Sequence, residues 1–416
     1  MAGKRIVVTG LGAITFLGLS VEELWDGLRE GRSGVGPITL FDAHDFPVQI
    51  AAEVKGFDSK DYMDRKLARR TGRAGQFAIA AAAEAVRSAQ LNVPDESERV
   101  GVIVATSGGF FDAGEQAIRL RERGPRGIDP LFMTKSSAHM LACQVGRFLG
   151  AKGPNSTLNS ACASGSDALG RALMHLRLGH ADVMLAGGSE ALITPLGIAL
   201  IARLGALSKR NHEPTRASRP FDRERDGFVV GEGAAFLVLE TEEHALSRDA
   251  PILAELAGAG WSFDAYDDTA PDAAGEALAI KAALRDAGVG VEEVDYINAH
   301  GTSTPLNDKT ETEAIKRVFG ERAYRIPISS TKSMTGHLAC AAGALEALVC
   351  VLALRDQIIH PTINYEHPDP ECDLDYVPNV ARPASMDVCL SDSFGMGGQN
   401  ACLVFKRWVQ YSASAL

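Results

Sequence analysis

No run of 18 uninterrupted apolar residues occurs in the 416-residue sequence, so none of its helices is expected to cross a membrane. Cysteine is sparse: seven are scattered along the chain with no C-x-x-C spacing, which argues against a disulfide scaffold and against the common zinc frameworks. Positive charge is in deficit. Forty-two Lys and Arg stand against 53 Asp and Glu, a formal net charge of -11, so nucleic acid and anionic lipid are poor partners for the surface as a whole. No apolar signal-like segment precedes the first strand pattern, RIVVTGLG, and a cytoplasmic, reduced location is the expectation. The turn GLGAIT lacks the G-x-G-x-x-G register and no Walker pattern appears, so nucleotide binding is not expected.

What is present is an ordinary globular composition, 46% hydrophobic and rich in glycine, long enough for one large core or two fused ones. Short β-branched runs alternate with longer helical patterns, which predicts a layered α/β fold. Strands are expected at Ile6–Thr9, Val100–Ala105, Thr157–Ser160, Val183–Ala186 and Ala234–Leu239. Helices are expected at Val21–Arg29, Arg73–Ala89, Ser164–Arg177 and near Leu196–Ala206. After about residue 250 the pattern restarts with a strand at Ile252–Gly260 and a helix at Gly275–Ala287. Strands at Val294–Asn298 and Ile326–Ser329 and helices at Glu311–Val318 and Gly343–Leu354 follow, and a strand pair at Val388–Ser391 and Ala401–Phe405 closes it. Two halves, 1–250 and 251–416, therefore read as an architectural pseudo-repeat. The segment Ser107–Ala142 is too long for a plain loop and reads as a cap or an interface excursion. Trp408–Leu416 reads as a loosely held tail.

Three strand-end stretches carry the chemistry. In NSACASGSDALGRAL, Cys162 sits at a small-residue turn before a helix. Unpaired amides at a helix start favour a thiolate, although a free cysteine is as often a small buried hydrophobe. Cys143, Cys340, Cys350, Cys389 and Cys402 lie in apolar runs and fit that second role. In YINAHGTSTPLNDKTETEA, His300 is followed by Thr302, Thr304, Asp308 and Glu311, and Thr310 with Glu313 has the spacing of a capping box. In STKSMTGHLACAAGALEA, Lys332 and His337 flank a turn. A thiol and two imidazoles at strand ends suit an enzyme that carries an acyl group and stabilises an enolate. The glycine-rich CLSDSFGMGGQNACLVF reads as a tight loop that donates amides or gates a site, or as a plain turn. Arg65, Lys66, Arg69, Arg70 and Arg73 form a basic helix-like stretch, ordinarily a solvated face.

Taken together, ACASGSDALG, ASRPFDRERDGFVVGEGA, NAHGTSTPLNDKTETEA, KSMTGHLACAAG, HPTINYEHPDPECDLDYVPN and SDSFGMGGQNA resemble the elongating β-ketoacyl-[acyl-carrier-protein] synthases along essentially the whole chain. The likeness is strongest to synthase II and extends to the ketosynthases of type II polyketide systems. It implies a thiolase-like fold with a layered α-β-α-β-α core. It also implies acyl transfer to Cys162 and decarboxylative condensation with malonyl-carrier protein. His300 and His337 then stabilise the enolate, Lys332 supports the histidines, and Asp308 and Glu311 give structural support. The amides of Cys162 and Met396 match the oxyanion hole, with Phe394 in the gating loop, and Thr302 and Thr304 match the pantetheine contacts. Gly108, Ile201 and Phe132 match the acyl pocket, Phe132 reaching across a dimer. Arg65, Lys66, Arg69 and Arg70 match the docking face for an acidic acyl carrier protein.

The resemblance implies no tightly bound cofactor and no metal, since substrates ride on the phosphopantetheine of the carrier. It implies a homodimer, or a heterodimer with a related chain-length subunit. Departures fall around the acyl tunnel: Met396 stands in place of an aromatic gate, Gly108 in place of a bulky Ile and Ile201 in place of a Phe, while Asp392 and Gln399 replace Asn and Thr. A Gly108→Ile change is accordingly expected to fill the tunnel and disfavour long primers.

Overall fold

The computed structural model describes residues 4–410. Ten strands form one sheet: β1 Ile6–Ile14, β2 Val100–Ala105, β3 Asn155–Leu158, β4 Val183–Glu190, β5 Gly233–Thr241, β6 Ala254–Phe263, β7 Tyr296–Asn298, β8 Ile328–Ser329, β9 Val388–Gly395 and β10 Gln399–Lys406. Their spatial order is β8-β7-β9-β10-β6-β1-β5-β4-β2-β3. Numbered within its own half, each set of five strands runs 3-2-4-5-1. The halves are therefore the same topology used twice. They join through their first strands, where Val7 pairs with Glu255 and Val8 with Ala254.

The layers follow from which helices are buried along most of their length. Helix Ala342–Asp356 is buried at every residue from Ala342 to Leu354, and the helix Ser164–Arg177 is buried over most of its length. Both belong to the largest core cluster, which packs them between the two half-sheets. A helix hydrophobic almost all round, as Ala342–Asp356 is, belongs in such a layer. Amphipathic helices cover the outside: Arg73–Ser88 lies over β1 and β5, and Ala273–Ala287 over β6 and β10. This is the expected α-β-α-β-α order, with the two sheets continuous through β1 and β6.

Two expectations need correction. Helix Pro305–Phe319 starts earlier than the Thr310/Glu313 spacing suggested: Thr304 is its N-cap and Thr310 sits inside it. Glu313 pairs with Arg317 one turn on. The tail begins anchored, since the Trp408 indole donates to Glu242 at 2.9 Å; residues 411–416 lie outside the described residues. The excursion after β2 is built of short helices from Gly109 to Ser136, none with a buried residue.

One polar clamp ties the N-terminal half together at the strand ends opposite the cysteine and histidine turns. His244 contacts Glu240 at 2.6 Å and Glu96 at 2.7 Å, and Glu240 also receives Arg248. The hydrogen bond to Glu240 leads the causes that raise the His244 pKa above its usual value. Burial raises Glu240, but bonds from Arg248, His244 and Thr9 outweigh it and the net shift is downward. A raised histidine stabilises fully below its unfolded value and loses that contribution as pH rises through the folded one. His244→Gln should therefore cost about 1–2 kcal/mol in mildly acidic solution and progressively less in alkaline solution. Urea unfolding midpoints of both proteins from pH 5.5 to 9 check this; a gap that widens with pH contradicts it.

Candidate active site

Cys162, His300 and His337 arrive at one place from three strand ends, and each turn contains a residue in the left-handed region. Ala161 (φ 50°) precedes Cys162, Gly301 (φ 40°) follows His300, and Gly336 (φ 67°) precedes His337. Ala161 has a Cβ and carries the strain that such a backbone implies. The thiol and the imidazole nitrogens lie within 4.8 Å of one another, the only Cys/His/Asp/Glu trio of this kind among the described residues. Such a trio has the donor types of a transition-metal site. They line a cavity of about 460 Å³ with Thr302, Thr304, Phe394 and Met396.

The hydrogen bonds assign the histidine tautomers. Lys332 Nζ lies 3.2 Å from His300 Nδ1, and an ammonium can only donate, so Nδ1 accepts and Nε2 carries the proton. The Ala339 amide donates to His337 Nδ1 at 3.1 Å, with the same consequence. Burial, then the Lys332 charge, pushes both imidazoles well below their usual pKa. Two neutral rings, with centroids 5.5 Å apart, thus each offer an Nε2–H. The backbone N–H groups of Met396 and Cys162 both favour the Cys162 thiolate, a second pair of donors in the same cavity.

The thiol corrects a sequence-based expectation. Burial raises the Cys162 pKa despite those amides and the Lys332 charge; desolvation outweighs the helix start. Cys143 is also misjudged by its apolar run, being exposed, whereas Cys340, Cys350, Cys372, Cys389 and Cys402 are buried.

Polar groups below the cavity hold the three turns. Glu311 accepts from the amides of His300 at 2.6 Å and Gly301 at 2.7 Å. Asp308 accepts from Phe221 at 2.8 Å and Ser303 at 3.1 Å. The segment ASRPFDRERDGFVVGEGA is the scaffold under the histidine turns: Val229 accepts from the His337 amide at 2.7 Å, Ser218 bonds the Lys332 carbonyl at 2.7 Å, and Arg225 binds the Thr304 and Pro305 carbonyls. Thr302 and Thr304 share a hydroxyl–hydroxyl bond of 3.0 Å at the cavity wall.

Lys332 donates to the His300 carbonyl at 2.6 Å and forms a buried ion pair with Glu346. Glu346 is thus its ion-pair partner, and sequence reasoning missed it. A signal existed: Glu346 is the only charged residue between Ala342 and Leu354 in an otherwise apolar helix. The surrounding carboxyls are costly. Burial and Asp392 push Glu311 up to about 8, and burial and Glu346 push Asp392 up to about 7. Buried acids beside one lysine retain protons.

With this geometry in view, comparison with known proteins decides the family. The model described as beta-ketoacyl synthase, N-terminal domain, matches residues 3–245, and beta-ketoacyl synthase, C-terminal domain, matches residues 253–366. The chain belongs to the beta-ketoacyl synthase family. It is 48% identical over 409 residues to a 3-oxoacyl-[acyl-carrier-protein] synthase 2 of Synechocystis sp., covering 97% of this chain and 98% of that protein. Among solved structures it is similar to the ishigamide ketosynthase/chain length factor, with a TM-score of 0.93 and 40% identity, over 98% of this chain and 100% of the other. It is also similar to AntDE:AntF, a type II PKS acyl-carrier protein in complex with its ketosynthase bound to the hexaketide. There the TM-score is 0.89 and the identity 39%, over 98% of this chain and 100% of that one.

In this beta-ketoacyl synthase the glycine-rich loop is a hairpin tip between β9 and β10. Gly397 and Gly398 have φ of 90° and 79°. Asp264 pins the tip: its amide donates to the Gly398 carbonyl at 2.9 Å, and its carboxylate accepts from Asn400 at 2.6 Å. Neither Asp264 nor Asn400 was singled out from sequence. Phe394 is buried, 5.9 Å from the His300 ring, while the Met396 side chain is 55% exposed.

Gly108, Ile201 and Phe132 do not line this cavity. Ile201 and Phe228 pack against the same cluster, and the Phe228 ring lies 5.2 Å from His337; Phe132 is half-buried in the short helix Phe132–Ser136. Gly108 has φ 70° and ψ -169°, and a Cβ there would lie 3.0 Å from Ala138 Cβ. Only glycine adopts that backbone readily. Gly108→Ile is therefore expected to cost about 1–3 kcal/mol of stability and to lower the thermal midpoint whatever the primer. An unchanged midpoint contradicts this. Ile201→Phe, with no backbone conflict, is the cleaner test of primer length.

Arg65, Lys66, Arg69 and Arg70 are exposed on the helix Arg65–Arg70, which Asp64 caps. Arg73 does not belong with them, because it pairs with the buried Glu232.

Proposed function

We propose that this chain is a 3-oxoacyl-[acyl-carrier-protein] synthase. The observation that carries the reading is the single cavity with two separate donor pairs: the amides of Cys162 and Met396 at the sulfur, and two Nε2–H groups from neutral His300 and His337. In the first step Cys162 attacks the acyl thioester carbonyl. The new C–S bond forms, the carrier's pantetheine thiol leaves with the proton, and the two amides hold the oxyanion. In the second step the malonyl carboxylate departs as carbon dioxide. Its bonding pair becomes an enolate whose oxygen accepts from His300 and His337. The enolate carbon then attacks the acyl–Cys162 carbonyl, and the sulfur leaves and regains a proton. The product is a 3-oxoacyl chain two carbons longer.

Thr302 and Thr304 stand where they can bond the pantetheine arm, and Lys332 fixes the His300 tautomer. Gly108, Ile201 and Phe132 bound the acyl chain once a second subunit completes the pocket. The exposed short helices from Gly109 to Ser136 support that dimer, as does the location of β3 at the sheet edge. Arg65, Lys66, Arg69 and Arg70 receive an acidic carrier protein. The halves 1–250 and 251–416 divide the labour, the first supplying the nucleophile and the second both histidines and the gating loop. Substrates come on phosphopantetheine, with no tightly bound cofactor, no metal, no nucleic acid and no membrane, in the cytoplasm. No helix among the described residues is long and apolar enough to cross a membrane.

The likeness to the ishigamide and AntDE structures favours a second reading, the catalytic ketosynthase of a type II polyketide or polyene system with a chain-length partner. Incubating the purified chain with acyl-carrier and malonyl-carrier protein should release carbon dioxide and yield a 3-oxoacyl-carrier product. Activity that appears only with a related, Cys-less subunit selects the second reading. No product in either format removes both.

A further inference from the structure

We propose that the cavity between helices Arg65–Arg70 and His139–Leu149 is a second arm of the carrier-protein surface. In it, Arg147 receives a carboxylate and Phe148 an apolar neighbour from the carrier's acidic helix. The inference rests on the carrier-dependent reading above and adds residues that reading does not contain.

The cavity measures about 370 Å³ and is lined by Asp64, Lys66, Leu67, Arg70, Arg147 and Phe148. Its three cations are exposed, and no carboxylate among the described residues lies in ion-pair range of them. Asp64 is occupied, its Oδ1 accepting from the Lys66 and Leu67 amides at 2.8 Å each. Some helix cations find an acid on their own helix, as Arg29 does with Asp26, Arg119 with Glu115 and Arg317 with Glu313, whereas the three that line this one groove have no such partner among the described residues. They give a chain of net charge -11 a local basic groove. Phe148 is 38% exposed on one wall, so the groove joins positive charge to an apolar face.

That combination fits an acidic helix with an apolar side chain between its carboxylates. The charges steer the encounter and the aromatic fixes the register. An extended polyanion or a flat anionic bilayer needs a wider basic area than this groove offers on a chain of net charge -11. The groove is also wired to the cap: Gln144, one turn before Phe148, donates to the Thr134 carbonyl at 2.7 Å and to the Arg70 carbonyl at 3.4 Å. Docking there is one side chain removed from the helix that bears Phe132.

The test compares two acyl donors, acyl-carrier protein and a small acyl-pantetheine, by the rate at which each labels Cys162 in intact-mass measurements on the full chain. The readout is the ratio of the two efficiencies. Arg147→Glu should lower the ratio about tenfold, mainly through KM, and flatten its salt dependence. Phe148→Ser should lower it about threefold, and Arg147→Lys should restore most of it. Arg69→Glu, on the neighbouring helix but outside the groove lining, is the reference. If Arg69→Glu lowers the ratio while Arg147→Glu and Phe148→Ser do not, the groove is wrong and the carrier reading stands. If the wild type labels no faster from the carrier than from pantetheine, the carrier reading itself fails. Binding to phosphatidylglycerol vesicles that is lost in Arg147→Glu, with the ratio unchanged, assigns the groove to lipid and overturns the proposal.

Discussion

A Cys162→Ala chain is expected to take up no acyl group from an acyl-carrier thioester, and its condensation rate should fall by on the order of 10³ or more. Of the seven cysteines, Cys162 alone lines the cavity. Cys143, though exposed, lies on the helix His139–Leu149, and Cys340 is buried with its thiol pushed well above the usual value. An adduct therefore has no second home near the donors. The wild-type thiol is itself neutral at pH 7, because burial raises its pKa further than the amides and Lys332 lower it. Alkylation of Cys162 by iodoacetamide should accordingly accelerate with pH through and beyond the ordinary thiol range. An adduct on the Cys162→Ala chain removes the nucleophile assignment. An alkylation inflection below pH 8 would show that the turn stabilises the thiolate more than burial opposes it.

The second large effect is at Lys332. Lys332→Met removes the cation from a pair in which both partners are buried and leaves Glu346 alone in the central layer. Breaking such a pair costs about 3–5 kcal/mol, because the remaining charge stays unsolvated. Glu346, already raised by burial, can escape by taking a proton. The loss should therefore be greatest in alkaline solution and shrink as pH falls. Activity should drop with it, since His300 loses the donor that fixes its tautomer. Lys332→Met/Glu346→Leu separates the two roles: denaturant midpoints should recover much of the stability while turnover remains low. Recovery of both would reduce Lys332 to a structural ion.

The same contrast marks what could be read from the chain itself. The helices Val21–Arg29 and Ser164–Arg177 and the strand Val100–Ala105 begin and end where periodicity placed them. Their apolar spacing is a local property that tertiary contacts only reinforce. The β9–β10 hairpin was legible as two strands around a glycine turn. Its pinning by Asp264 was not, because that contact joins residues more than 130 positions apart. The helix at Thr304 was placed late because proline at its first turn and a capping threonine were outweighed by the more conspicuous Thr310/Glu313 spacing. Cys143 sits in an apolar run yet faces outward, since one helix face is all the core can use.

The sequence by itself determined the repeated strand–helix series, the three strand-end turns that carry Cys162, His300 and His337, and the family to which they point. Those depend on residue order and spacing. Only the tertiary structure decided that each half runs its strands as 3-2-4-5-1, that Lys332 answers to Glu346, that both imidazoles present Nε2–H, and that the Cys162 thiol is raised. Pairing order, tautomer and pKa depend on which distant groups meet in the absence of water. Burial makes each such meeting strong enough to reverse what the local sequence favours.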